Sequence, residues 1–265
     1  MKRRVIAIMQ ARISSDRLPG KVLADINGRT MLWHVVNRLG HCKELDGIVV
    51  AIPKNDHKLH RYLHKYRFVN RKLIKHYLGS EDNVLERYYK AATFSNADVV
   101  VRITSDCPMI DPDIVDSVVK YYISHNFDYC CNTSDNKTVY EKMKSGDRNS
   151  ISFQTMDGFD VEVFSFISLC NAYFNAKDKS DLEHVTPFIV RNGNIDVWKY
   201  NKELPKFHLS VNTAEDLDIV RQIFKKLGNK FTLEEAVDEF QKLNAIIQDS
   251  KKSDTREDPN IFKRI

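Results

Sequence analysis

The strongest constraint on the fold is a recurrence in which short apolar runs alternate with stretches that carry apolar residues at helical spacing. Val5–Met9, Gly47–Ile52 and Asp98–Ile103 read as strands buried on both faces, and Leu73–Tyr77 as a shorter one. Between them, Met31, Leu32, Val35, Val36 and Leu39 form a helical stripe that Gly40 stops. A second stripe holds Leu59, Tyr62, Leu63 and Tyr66. Ser80 is the candidate cap of a third, with Val84, Leu85, Tyr88, Tyr89 and Ala92 inward. Asp111-Pro112, a cap followed by proline at the first helical position, opens a fourth through Ile114, Val115, Val118, Val119 and Tyr122. Repeated strand–helix alternation predicts an α/β fold with a mainly parallel central sheet and helices on both faces. Such sheets bind ligands outside the carboxyl ends of their strands, which puts the loops at 10–21 and 104–111 on one rim.

The first of those loops is chemically distinctive. Directly after the first strand come Arg12, Arg17 and Lys21, the hydroxyls of Ser14 and Ser15, and a Pro19-Gly20 turn. Guanidinium forks grip phosphate oxygens bidentately and lysine adds a point charge, so the loop is suited to wrapping a polyanion. The known glycine loops do not fit. A Walker loop would need glycine and a hydroxyl where Ser15 and Val22 stand, and the first glycine of the chain is Gly20, too late for a dinucleotide fingerprint. A charged, solvated surface turn is the plain alternative.

Ala11-Arg12-Ile13-Ser14-Ser15-Asp16-Arg17-Leu18-Pro19-Gly20-Lys21 resembles the A-R-x-x-S-x-R-L-P-G-K signature of cytidylyltransferases of the acylneuraminate and 3-deoxy-manno-octulosonate types, with their spore-coat polysaccharide branch. Further segments share the likeness, which extends to about Gly228. Thr104-Ser105-Asp106-Cys107-Pro108-Met109-Ile110-Asp111-Pro112 is similar to T-x-D-C-P-L-I-D-P, and Gly79–Tyr89 to G-S-E-D-D-V-L-D-R-Y-Y. Asp157–Phe164 is similar to D-G-x-D-V-E-V-F, Glu183–Phe188 to E-H-V-T-P-Y, and Leu209–Leu217 to L-x-V-D-T-P-E-D-L. The resemblance implies a Rossmann-like nucleotide-diphospho-sugar transferase (GT-A-type) fold. It implies an enzyme that moves CMP from CTP to a small anionic sugar acceptor, a sugar acid or sugar phosphate, using Mg²⁺. By the same resemblance Ala11, Arg12, Ser14, Ser15, Arg17, Lys21, Ser80, Arg87 and Asp106 lie at the nucleotide, with Arg12, Lys21 and Asp106 catalytic. Asp160, Glu162 and His184 fall on the acceptor side, and the chain pairs as a homodimer through 132–165.

Asp106 at a strand's carboxyl end suits a hard cation, because Mg²⁺ takes one or two carboxylates plus substrate phosphates. Asn212 departs from the family pattern: it stands where a second metal-binding aspartate is expected and offers only a carbonyl oxygen. Asp216 is explained by a capping box with Thr213, and Asp111 by helix capping. Two other readings stay open, a glycosyltransferase of the same fold and a nucleotide-binding module without turnover. His57, His60 and His64 lie at helical spacing opposite Leu59, Tyr62, Leu63 and Tyr66, where a solvated face belongs, and read as such rather than as a zinc site.

The remainder bounds the class. A net charge of +5 over 265 residues, evenly spread, suits anionic small molecules and not nucleic acid. No apolar run reaches the ~20 residues that span a bilayer, and the run after Met1-Lys2-Arg3-Arg4 is too short for a secretion signal, so a cytoplasmic protein is expected. The five cysteines make no C-x-x-C pair and read as reduced thiols. One domain is expected over 1–247. Periodicity dissolves from Asn132 to Met156, the mark of a lid, an oligomer arm or disorder. A half-exposed strand follows at 158–164, then helices near 165–176 and 180–192, and short strands near 195–200 and 207–211. A capped helix runs from Thr213 to Gly228 and another over 232–247, before a charged, loose tail at 248–265.

Overall fold

Val5–Gln10 (β1) lies inside an eight-stranded sheet, flanked on one side by Gly47–Pro53 (β4) and on the other by Val99–Thr104 (β7). Beyond β4 come Lys72–Gly79 (β6) and the edge strand Phe68–Val69 (β5). Beyond β7 come Glu162–Ser165 (β9), Tyr129–Cys131 (β8) and Ile195–Val197 (β10). β1 pairs in parallel with β4 and β7, β4 with β6, and β8 with β10, whereas β9 runs antiparallel to both its neighbours. Asp25–Ile26 (β2) and Arg29–Thr30 (β3) form a separate small hairpin. The computed structural model describes residues 2–65, 67–133 and 156–254. Tyr66, the core of the expected arm at 134–155, and the tail from 255 lie outside the described residues.

The unbroken apolar strands are explained by burial on both faces. Val5, Ala7 and Met9 enter one core, shared with Met31–Leu39 (α1), His57–Leu63 (α2), Pro112–Ser124 (α4) and the helices Ala214–Leu227 and Leu233–Asp254. Ile6 and Ile8 enter the other, under Val84–Ser95 (α3) and the helices Phe166–Asn175 and Pro187–Asn192. Cys130 and Cys131 point into opposite cores, and all five cysteines are free thiols. Asp111 caps α4 through Asp113 N–H and also accepts the N–H of Leu233, so one carboxylate starts two helices. The capping box of Thr213 and Asp216 is formed.

Several local expectations are corrected. The third helix is capped by Asn83, which accepts from Glu86 N–H; Ser80 instead accepts from Asn83 N–H one turn earlier. The acidic–apolar alternation near 158–164 does not mark a half-exposed strand: Glu162, Val163 and Phe164 are all buried, because β9 is enclosed by β7 and β8. The helix expected over 180–192 is broken into Lys179–His184 and Pro187–Asn192, where Val185 takes φ 72° ahead of Pro187. Residues 207–211 form no strand, since Leu209 N–H goes to the Asp157 carbonyl and Val211 N–H to that of Asp106. The last helix runs on to Asp254.

Candidate active site

Strand order reverses at β1: chain-order successors β4 and β6 lie on one side, while β7 lies on the other. The loops leaving the carboxyl ends of β1 and β7 therefore border one crevice, the place where doubly wound sheets bind ligands. The cleft there has a volume of about 520 Å³ and is lined by Ala11, Arg12, Ser14, Ser15, Arg17 and Lys21 from the first loop. Thr104, Ser105 and Asp106 line it from the second, Glu81, Asp82 and Arg87 from the start of α3, and Lys179, Glu183 and His184 from a short helix beyond.

The basic loop is held in shape by its own backbone and one outside anchor. Gly20 N–H donates to the Ile13 carbonyl at 3.0 Å, closing the loop, and Gly20 takes φ 75°, the left-handed value that favours glycine there. Ile13 N–H donates to Asp56 Oδ2 at 2.9 Å, and the other oxygen of Asp56 caps α2 through Leu59 N–H. Ser14 Oγ donates to Glu81 Oε1 across the cleft mouth.

Lys21 is the junction of the site. Its Nζ donates to Asp106 Oδ2 at 3.1 Å, the Val211 carbonyl at 2.7 Å and Asn212 Oδ1 at 3.3 Å. Arg17 reaches the same Asn212 oxygen at 2.7 Å, while the amide nitrogen of Asn212 is turned away to Ser210 Oγ. Burial alone would raise the Asp106 carboxyl, but Lys21 and the Thr104 hydroxyl outweigh it and hold it below the usual carboxylate range. Asp106 is thus an anion at neutral pH. Arg87 is buried. One of its Nη groups donates to the Ser80 carbonyl, whereas its Nε has no acceptor among the described residues.

A second carboxylate stands behind the first. The Cys107 thiol lies 3.8 Å from Asp106 Oδ1 and 3.7 Å from Asp160 Oδ2, so the two acids are separated by one side chain. Burial, with Asp157 and Asp106 adding to it against a Gly158 N–H contact, pushes the Asp160 carboxyl up to about 7. Gly158 makes this turn feasible: it has φ 95°, and a Cβ there would sit 2.6 Å from the Leu209 carbonyl carbon. Burial pushes the Cys107 thiol well up, which makes it a poor nucleophile.

The sequence-expected residues are therefore gathered selectively. Ala11, Arg12, Ser14, Ser15, Arg17, Lys21, Arg87, Asp106 and His184 line one cleft, with Asn212 bound to its cations and Asp160 adjacent. Ser80 is not among the lining residues and serves the start of α3. Glu162 is buried and paired with Arg102 across β7 and β9 at 2.8 Å, and is not among the residues that line the cleft. Glu81, Asp82, Lys179 and Glu183 line the cleft without having been singled out. The first two stand in the G-S-E-D segment already aligned with the family, and Lys179 carries no sequence signal.

The donor set suits a divalent cation arriving with phosphates. Asp106 supplies an ionised carboxylate and Asn212 a carbonyl oxygen turned to the same point, and Mg²⁺ needs few protein ligands when phosphate oxygens complete its shell.

The chain is 34% identical over 230 residues to an uncharacterised protein of Methanocaldococcus jannaschii, with 84% of each chain covered. It is 24% identical over 238 residues to a spore coat polysaccharide biosynthesis protein of Bacillus subtilis, covering 85% of this chain and 88% of that one. It is 34% identical over 119 residues to a 3-deoxy-manno-octulosonate cytidylyltransferase of Solibacter usitatus, covering 45% of each. Among solved structures, a cytidylyltransferase of Leptospira borgpetersenii superposes with a TM-score of 0.77 at 24% identity, over 93% of this chain and 98% of that one. A CMP:2-keto-3-deoxy-manno-octonic acid synthetase complexed with CTP superposes at 0.61 and 17% identity, over 84% of this chain and 99% of that one. The cytidylyltransferase family profile matches residues 6–253. With that match running through every strand and loop of the cleft, the chain belongs to the cytidylyltransferase family and is a nucleotidyltransferase.

Proposed function

We propose that the protein transfers CMP from CTP to a sugar acid or sugar phosphate, releasing pyrophosphate, in the synthesis of a surface polysaccharide or glycan. The observation that carries this reading is the convergence of Arg12, Arg17, Lys21 and Asp106 on one cleft at the switch point of the sheet. The relatives support it: one acts in spore-coat polysaccharide biosynthesis, and another is a sugar-acid cytidylyltransferase.

The triphosphate lies along the loop 11–21, gripped by Arg12 and Arg17 and met from below by Lys21. An acceptor oxygen attacks the α-phosphorus in line; the new P–O bond forms as the bond to the pyrophosphate oxygen breaks, and pyrophosphate leaves with that electron pair. Asp106 and Asn212 would hold Mg²⁺, which supplies neutralisation of the phosphate charge when bound. The chain's own cations hold the charge that develops on the phosphoryl oxygens. A sugar phosphate attacks as an anion and requires no base. A sugar acid attacks through a hydroxyl, and Asp160, with its carboxyl near 7, is matched to accepting that proton at neutral pH. In the same reading the enzyme is a cytoplasmic homodimer.

Pyrophosphate release measured with CTP, UTP, ATP and GTP across a panel of sugar acids and sugar phosphates tests the proposal. CTP with one acceptor class is expected to give turnover. Turnover with another nucleotide alone would reassign the donor. CTP binding without pyrophosphate under any acceptor would favour the turnover-free module, the reading that Asn212 motivates.

The same residue gives a sharper prediction. Asn212→Asp adds a second carboxylate at the point where Lys21, Arg17 and the Asp106 oxygen meet. It should lower the Mg²⁺ concentration for half-maximal turnover by about tenfold, the scale on which individual metal-site groups act. An unchanged Mg²⁺ titration would show that Asn212 is not a ligand.

A further inference from the structure

A second cluster of ligating side chains is made of residues that do not line the cleft. His60 on the last turn of α2, His64 at its carboxyl cap and His76 on β6 each offer one ring nitrogen, and those nitrogens all lie within 4.8 Å of one another. The Nε2 atoms of His60 and His64 are 3.0 Å apart, and the three ring centroids are 4.5, 5.0 and 4.9 Å from each other. We infer that His60, His64 and His76 form a zinc-binding site that bridges α2 to β6.

Four observations bear on this. Spacing comes first: His60 and His64 are one helical turn apart, so they share a face, and the strand supplies the third ligand from a different element. Distance comes second. Three imidazole nitrogens at about 2.0–2.1 Å from a tetrahedral zinc stand roughly 3.3 Å from one another, so the observed separations need only small side-chain rotations to close on an ion.

The third is chemical. Between two neutral imidazoles one hydrogen bond can form, and the third ring is left facing ring nitrogens of its own kind. Neutral imidazole is the form that ligates metals, and each of the three rings brings one nitrogen to the same small volume. Fourth, His60 and His76 are half-buried while His64 is exposed. An ion can therefore enter from solvent, and a water can complete its shell. Borderline nitrogen ligands suit zinc, with cobalt and nickel as spectroscopic substitutes. His57, which shares the helix and the sequence pattern, is outside the group and exposed.

The site has a structural consequence within reach of the cleft. It would fasten the carboxyl end of α2 to the sheet, and the amino end of α2 is capped by Asp56, which also holds Ile13 of the basic loop. The inference does not depend on the nucleotide chemistry, since it rests on different residues.

The full chain, free of any affinity tag and stripped with a chelator, is titrated with Zn²⁺ by calorimetry, and with Co²⁺ by visible absorption. One zinc per chain with a dissociation constant of about 1 µM or tighter is expected, with intense four-coordinate cobalt bands and a thermal midpoint raised by roughly 5 °C. His60→Ala and His76→Ala should each weaken binding at least about tenfold while keeping the metal-free midpoint of the parent, and His57→Ala should bind as the parent does. Absence of stoichiometric binding, weak six-coordinate cobalt bands, or equal binding by His76→Ala would overturn the site. So would a loss in His57→Ala as large as that in His60→Ala.

Discussion

Lys21→Ala lowers turnover by about 10²–10³, the cost of removing one preorganised charge contact from a water-poor site. The effect is large because Lys21 is held in place before substrate arrives. Its ammonium is fixed in the cleft by Asp106, the Val211 carbonyl and the Asn212 oxygen, so the charge is in place before the phosphates arrive. The same ion pair predicts an acid effect on stability. Because Lys21 holds the Asp106 carboxyl low, the pair stabilises the fold at pH above the ordinary carboxylate value of about 4. That contribution is lost as pH falls through the lowered value, and it shrinks in Lys21→Ala. Steady-state pyrophosphate release on protein shown to be folded by circular dichroism checks the first part. Near-parental rates would remove Lys21 from the machinery.

Glu162→Ala should destabilise the fold by about 3–5 kcal/mol, the loss typical when one partner of a buried ion pair is removed. Arg102 and Glu162 are register partners on adjacent strands, at 2.8 Å and almost closed to solvent. Burial alone would pull the Arg102 guanidinium down, and Glu162 more than offsets it. Without that carboxylate a full positive charge stands in the sheet interior beside Tyr88 and Tyr129. Urea denaturation measures the change. The double variant Arg102→Met, Glu162→Leu should recover most of the loss, because no charge then remains buried. A loss below about 1 kcal/mol in the single variant would mean that water reaches Arg102.

These two residues also show where sequence is informative and where it is not. The loop from Ala11 to Lys21 was legible because its chemistry is local: cations, hydroxyls and a turn glycine within one short stretch after an apolar strand. Asp111 and the Thr213–Asp216 box were legible for the same reason. Glu162 was misread because alternation reports which face a side chain takes, not what covers that face; only β7 supplies Arg102. The cap at Asn83 was displaced from Ser80 by one turn, a shift that spacing does not resolve. His60 and His64 read as a solvated helix face and not as ligands, because His76, which meets them, comes from a strand that spacing along the helix does not report. Residues 207–211 looked like a strand, yet their N–H groups are taken by Asp157 and Asp106, partners far away in the chain.

The central claim is that a nucleoside triphosphate seats between the loop 11–21 and Asp106. A crystal structure of the protein with CTP and Mg²⁺ tests it most directly. The account predicts phosphate oxygens within hydrogen-bond distance of Arg12, Arg17 and Lys21, with the metal on Asp106. Triphosphate bound outside this cleft, or CTP absent from it at saturating concentration, would contradict the account.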